Sequence, residues 1–398
     1  MSHLETVRNP EESRRVWDAY HTGQPTRVPV TIYADVRCWL ADPVENAGGA
    51  SLSRYLRDPD LMLDLQLRTR AWLDRNLLSD DPVSTAETGW PLIVDFQNFL
   101  ELAWLGGTVG YDSREPHVPH FLTEEGQREL LRREPPRAFD GIGGDVLRYY
   151  EHFQARKAAG QEYQGIGIGH VAMPFNMTGS DGPFTLCCGM RGASDFLLDL
   201  VDRPDEARAL LDWITEAVIR RIREVRAYLG EPALSEGFGI ADDAIVVLST
   251  DMYREFVLPC HRRILEELTA PGGGRSMHLC GDAQRFFPVL QRELGVMSFD
   301  TGFPVDFARL YDELLPATRI YGGPATSLLL NGTPAQVDAE VRRILSSGVM
   351  EKSRAFVLRE GNSLAPGTPF ANVNQILLTS REAGVYPGSA VTTPRATP

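Results

Sequence analysis

Two hydrophobic periods run through this chain. Short apolar stretches of strand length alternate with longer ones in which apolar residues recur every three or four positions. The alternation is most regular in the C-terminal half. There, strands are predicted at Ser276–Leu279, Val296–Asp300, Arg319–Gly322 and Arg354–Leu358, separated by helices that include Ala283–Leu294 and Val305–Leu315. Another helix opens at Thr333-Pro334-Ala335-Gln336, with Thr as the cap, Pro in the first helical position and Gln in the third. Its apolar residues Val337, Val341, Ile344 and Leu345 hold the helical period, and the last helix follows Thr368-Pro369.

The N-terminal half is less regular. Its strand candidates are Val28–Tyr33, Leu92–Phe96, Gly165–Val171 and Ala233–Gly239. The clearest helix begins after Arg203-Pro204, where Ala207, Leu211, Ile214, Val218, Ile222, Val225 and Leu229 make one apolar stripe. A helix near Met252–Leu268, bent at Pro259, leads through the loop Pro271-Gly272-Gly273-Gly274 to the strand at Ser276. Strands alternating with helices in this way predict an α/β fold, a single (β/α)8 TIM-type barrel over residues 25–387. An N-terminal helical extension (1–24) precedes it, helical insertions separate the early strands, and a disordered tail (388–398) follows. The alternative is an open doubly wound sheet. Against it, no Gly-x-Gly-x-x-Gly opens a helix after the first strand, and Gly165-Ile166-Gly167-Ile168-Gly169 lies inside a strand pattern.

A net charge of −14 argues against nucleic-acid partners and anionic membrane surfaces. No apolar run approaches the ~20 residues of a membrane span. The five cysteines, Cys38, Cys187, Cys188, Cys260 and Cys280, are odd in number and scattered. That pattern fits reduced thiols and a cytoplasmic location rather than a disulfide framework.

In a barrel of this kind the site lies at the C-terminal ends of the strands. His278 and Cys280, two residues apart on one strand, share a face and make a donor pair suited to zinc. The plainer reading is a hydrogen-bonded His and an inert Cys. Asp300 and Glu236, read as ending the neighbouring strands, are the candidates to complete a metal set. Asp95, Glu236 and Asp242 are candidate acids or bases. Arg191 and Arg359 are candidate clamps for a substrate carboxylate.

The segments Asp242-Asp243 through Tyr253 and Pro259, His278-Leu279-Cys280-Gly281, Tyr321-Gly322-Gly323-Pro324, Leu330-Asn331-Gly332-Thr333-Pro334 and Gly361-Asn362-Ser363-Leu364-Ala365-Pro366 resemble the uroporphyrinogen decarboxylase superfamily. The chain is more similar to its zinc-dependent, corrinoid-linked methyltransferase branch. The resemblance covers about residues 230–385 and implies a (β/α)8 barrel. Asp95 matches the decarboxylase aspartate. The segment Ile32–Arg37 lacks the arginines that grip porphyrin carboxylates, and Gly189 and Asn362 stand where decarboxylases carry Tyr and His. In the methyltransferase branch His278 and Cys280 match two zinc ligands, and the third, a Cys, falls at Asn362.

The resemblance therefore implies a zinc-dependent methyltransferase or demethylase of a small molecule, with any corrinoid on a separate protein. Asn362 is expected to line the substrate pocket, and a homodimer is one oligomeric expectation. Two alternatives stand beside this reading: a non-porphyrin decarboxylase or other lyase or hydrolase built on Asp95 and its fellow carboxylates, and a ligand-binding barrel without catalysis.

Overall fold

A computed structural model describes residues 8–111 and 115–388. Its larger sheet holds five strands, β4 (Ser235–Ala241), β5 (Thr269–Leu279), β6 (Ser298–Thr301), β7 (Arg319–Gly322) and β8 (Phe356–Leu358), in chain order. Each pairs in parallel with the next. Helices follow the strands, so every connection is a βα crossover, as a parallel sheet requires. Beyond β8 the chain at Val30 makes a further parallel bridge to Leu358; Thr31 donates to Leu358 O at 3.0 Å and Leu358 to Pro29 O at 2.9 Å. A smaller sheet pairs β1 (Trp90–Ile93) in parallel with β3 (Ile166–Ala172), and β2 (Glu162–Tyr163) in antiparallel with β3.

The helices follow their sequence signals. Pro204–Leu229 buries the stripe Ala207, Leu211, Ile214, Val218, Ile222 and Val225 and stops at Gly230 in the left-handed conformation. The helix Pro334–Ile344 carries the full Thr333/Gln336 capping box. The N-terminal helix spans Pro10–His21. Helical insertions lie between Val30 and β1, the longest being Pro59–Asn76, and between β1 and β2, the longest being Ile142–Ala158. No described helix is long and apolar enough to cross a membrane.

Several boundaries differ from expectation. Thr269–Leu279 is one strand, so the expected loop Pro271–Gly274 belongs to β5; a register shift against β4 between Ser235 and Gly237 absorbs its irregularity. Pro259 opens the helix Leu258–Leu268, and the distortion lies just before it, in a π-helical turn over Tyr253–Val257. The first strand is reduced to isolated bridges around Arg27 and Val30. The expected disordered tail lies outside the described residues except for Gly388.

One transverse row of the larger sheet places the site. Its registered partners run Ala241, His278, Asp300, Tyr321, Val357. Partners in a parallel register project to the same face, so His278 and Asp300 stand side by side near the strands' C-terminal ends. Met277, Leu279 and Phe299, on the opposite face, are buried.

Candidate metal centre

His278 near the end of β5, Cys280 just past it, and Asp243 just past β4 form one group. A donor atom from each lies within 4.8 Å of the others, and all three residues are half-buried. Alternation along β5 brings His278 and Cys280 to one face. The Cys280 amide donates to Asp243 Oδ1 at 2.7 Å, tying the strand exits of β4 and β5 together. Gly302, after β6, is required by close approach: a Cβ there would stand 2.6 Å from the Cys280 Cα.

Asp300 holds the imidazole from behind. Its Oδ2 lies 2.8 Å from His278 Nδ1 and 2.8 Å from Arg359 Nη1. Arg359 continues to Glu360 at 2.5 Å, and Glu360 accepts from the Tyr33 amide at 3.2 Å. A line of charged groups thus runs from His278 through β6 and the end of β8 to the chain beyond Val30. Burial lowers the proton affinity of His278, but the hydrogen bonds to Asp300 and Cys280 and the charges of Asp300 and Asp243 outweigh it and raise its pKa to about 10. Burial raises the Cys280 thiol, partly offset by the hydrogen bond to His278. Burial also lifts Glu360 to about 7, although Arg359 pulls the other way.

This donor set fits a zinc ion. It offers one thiol sulfur, one imidazole nitrogen and one carboxylate oxygen, each a known zinc donor. With Nδ1 engaged by a carboxylate, Nε2 is the imidazole nitrogen left for a metal, and such an outer carboxylate is a common partner of metal-binding histidines. Two acidic donors would also balance a divalent charge.

The other expected residues fall differently. Asp300 is placed to orient His278 rather than to serve in the donor group. Glu236 is an N-terminal residue of β4, not its end. It lies five residues before Ala241, the partner of His278, so it is about 16 Å away along the strand and cannot complete the set. Asp242 is fully buried and occupied: it accepts from the Phe184 and Thr185 amides (3.1 and 2.7 Å) and the Thr185 hydroxyl (2.7 Å), and pairs with His261 Nε2 at 2.8 Å. It anchors the N-terminus of the helix Pro183–Arg191, leaving no lone pair poised for acid–base work. Arg191 forks onto Asp199 (2.9 and 3.2 Å) and donates to Leu122 O at 3.1 Å, all buried. It is a structural clamp, not a substrate clamp. Arg359 is engaged by Asp300 and Glu360. Asn362 Oδ1 accepts from the Ser363 amide at 2.8 Å, a local turn bond.

Asp95 sits apart from the donor group. It accepts from the Tyr55 hydroxyl (3.1 Å) and from the Gln97 amide (2.9 Å), and it shares a small polar cleft with Tyr33, Asp35, Gln66 and Arg70. Burial, then the charge of Asp35, raises its pKa.

Asp243 is legible in the sequence as one of two adjacent strand-end aspartates, Asp242 and Asp243, and no metal role attaches to it there. Its neighbour Asp242 was preferred, and nothing in a pair of adjacent aspartates says which one faces inward. The signal was present, because Asp242-Asp243 opens the run of residues that carries the family resemblance.

The chain is 26% identical to the methylated-thiol–coenzyme M methyltransferase of Methanosarcina mazei, over 51% of this chain and 52% of that protein. It therefore spans about half the length of that relative. It is 24% identical to a uroporphyrinogen decarboxylase of Anaeromyxobacter sp., over 70% of this chain and 74% of that one. Among solved structures, a methyltransferase from Methanosarcina mazei superposes with a TM-score of 0.60 at 18% identity, covering 93% of this chain and 98% of that chain, a likeness of fold. Residues 175–383, more than half of the 398-residue chain and inclusive of the whole donor group, match the uroporphyrinogen decarboxylase (URO-D) family, to which the protein belongs.

Proposed function

We propose that this protein is a zinc-dependent methyltransferase or demethylase acting on a small thiol or hydroxyl compound. The observation that carries the reading is the convergence of Asp243, His278 and Cys280 within 4.8 Å, backed by Asp300. The methyltransferase named among its relatives supports the same reading. When bound, zinc supplies a Lewis acid that lowers the pKa of a coordinated thiol or hydroxyl. The chain's own residues do the rest. Asp243, His278 and Cys280 would hold the ion with one position open to substrate. Asp300, fixed by Arg359, sets the tilt of the imidazole and keeps Nε2 turned to the donors. Asn362 is placed in this reading as a lining residue of the substrate pocket. Any corrinoid would sit on a separate protein.

The reading includes the architecture: the two sheets are arcs of one (β/α)8 barrel over residues 25–387, closed on one side where Val30 meets Leu358. The donor group then lies at the barrel mouth, where such folds carry their chemistry.

Metal analysis of protein purified without added metal tests the proposal. One zinc per chain is expected, reduced to a trace in Cys280→Ser and in Asp243→Ala and retained in Glu236→Ala. Zinc bound equally by all of these variants would end the reading.

A further inference from the structure

Two of the three donors belong to one strand and its exit, and the third is held differently. His278 lies in the register of β5, and Cys280 follows it on the same run of chain. Asp243 lies two residues beyond Ala241, the last registered residue of β4, and opens a single 3-10 turn, Asp243–Val247. The ladder of β4 ends short of it, so another element has to fix its backbone.

That element is the first turn of the helix Pro183–Arg191. It presses on the end of β4: a Cβ on Gly182 would stand 2.2 Å from Ala241 O and 2.4 Å from Asp242 Cγ. Asp242 Oδ1 accepts from the Thr185 amide and from the Thr185 hydroxyl, both at 2.7 Å. The same hydroxyl oxygen accepts from the Ala244 amide at 3.0 Å. One hydroxyl thus bonds to the residue before Asp243 and to the residue after it. It spends its proton on one side and a lone pair on the other, which no aliphatic side chain can do. The footing of this bracket is itself held. Asp242 Oδ2 accepts from the Phe184 amide at 3.1 Å and meets His261 Nε2 at 2.8 Å, and His261 Nδ1 meets the Tyr253 hydroxyl at 3.0 Å. Asp242, His261 and Tyr253 are fully buried, and a satisfied buried network of this kind is rigid. From the bracketed turn the Asp243 carboxylate reaches the Cys280 amide at 2.7 Å.

We propose that Thr185 is a positioning residue of the metal centre, acting through the backbone of Asp243. The inference rests on the zinc reading above. With both flanks of Asp243 tied to one hydroxyl, the carboxylate is set before the ion arrives instead of being ordered on binding. Without the hydroxyl the Ala244 amide is released, and metal binding carries the cost of ordering the turn.

The test is zinc affinity, read by chelator competition on the full chain well below its melting temperature, in Thr185→Val, Thr185→Ala and Thr185→Ser. Val keeps the shape of the side chain, Ala keeps none of the bonds, and Ser keeps the hydroxyl. Val and Ala are expected to bind zinc roughly 10-fold more weakly, and Ser as the wild type does, all with unchanged stoichiometry. Ala and Ser decide the matter if Val does not fold. A cobalt(II)-loaded Thr185→Ala protein should keep the thiolate-to-metal charge-transfer band of Cys280, which a collapsed site would lose. A double-mutant cycle isolates the path: since Thr185 acts through Asp243, adding Thr185→Ala to Asp243→Ala should weaken zinc binding no further. Wild-type affinity in the variants that lack the hydroxyl, an equal loss in Ser, loss of the cobalt band, or the same loss with and without the Asp243 carboxylate would each overturn the role of Thr185 while the zinc reading stands. If the wild-type chain binds no zinc, that reading fails, and the role of Thr185 with it.

Discussion

Replacing Asp300 probes the centre without touching its donors. Its Oδ2 bridges His278 Nδ1 and Arg359 Nη1, each at 2.8 Å. Asp300→Ala removes the acceptor that fixes the imidazole, so ring rotation must be frozen on metal binding instead of beforehand. It also leaves Arg359 with Glu360 as its remaining ion-pair partner. Loss of an outer partner of this type costs roughly 10–100-fold in metal affinity, which is about 1.4–2.8 kcal/mol. Asp300→Asn retains an oxygen for Nδ1–H but loses the charge, and a neutral hydrogen bond is roughly half as strong as a charge-assisted one. It should therefore fall at the low end, near tenfold. The assay is competition for zinc against a chromophoric chelator at fixed pH, with stoichiometry measured separately. The reasoning predicts weaker binding, Ala more than Asn, at an unchanged one zinc per chain. Unchanged affinity in both variants would refute the orienting role. Loss of stoichiometric zinc in both would make Asp300 a direct ligand.

Other consequences follow from the buried charges. Zinc affinity should fall as pH drops, because His278 and Cys280 must shed protons to bind, and chelator competition at several pH values measures it. Glu360 has a folded-state pKa raised to about 7 from 4.5, so its contribution to stability is fully present below about 4.5 and is lost as pH rises through about 7. Denaturant titrations of Glu360→Gln should show a smaller loss of stability across that window than the wild type, and an identical loss would exclude Glu360 as the source. Arg191→Ala should cost roughly 1.5–3 kcal/mol in the same titrations, because buried Asp199 loses its forked partner and keeps only Arg203, with zinc content unchanged.

Much of the architecture was legible because strand and helix periods differ. The strand Arg319–Gly322 and the capped helix Pro334–Ile344 stand where local pattern puts them. His278 and Cys280 were legible for the same reason, since a two-residue spacing fixes a shared face. What depends on register was not. Reading β4 as Ala233–Gly239 rather than Ser235–Ala241 moves Glu236 toward the wrong end of the strand, so that it rather than Asp243 is taken for the metal donor. What depends on partners was not legible either. Arg191 looks like an anion clamp until Asp199 is found closing on it, and Asp242 looks like a catalytic acid until two amides, a hydroxyl and His261 occupy it.

The donor set itself is the claim on which the account depends, and X-ray absorption at the zinc edge reads it directly. The account predicts one sulfur at about 2.3 Å with the remaining scatterers nitrogen or oxygen at about 2.0–2.2 Å, and loss of the sulfur shell in Cys280→Ser. Two sulfurs per zinc, or a sulfur shell that survives that substitution, would contradict it.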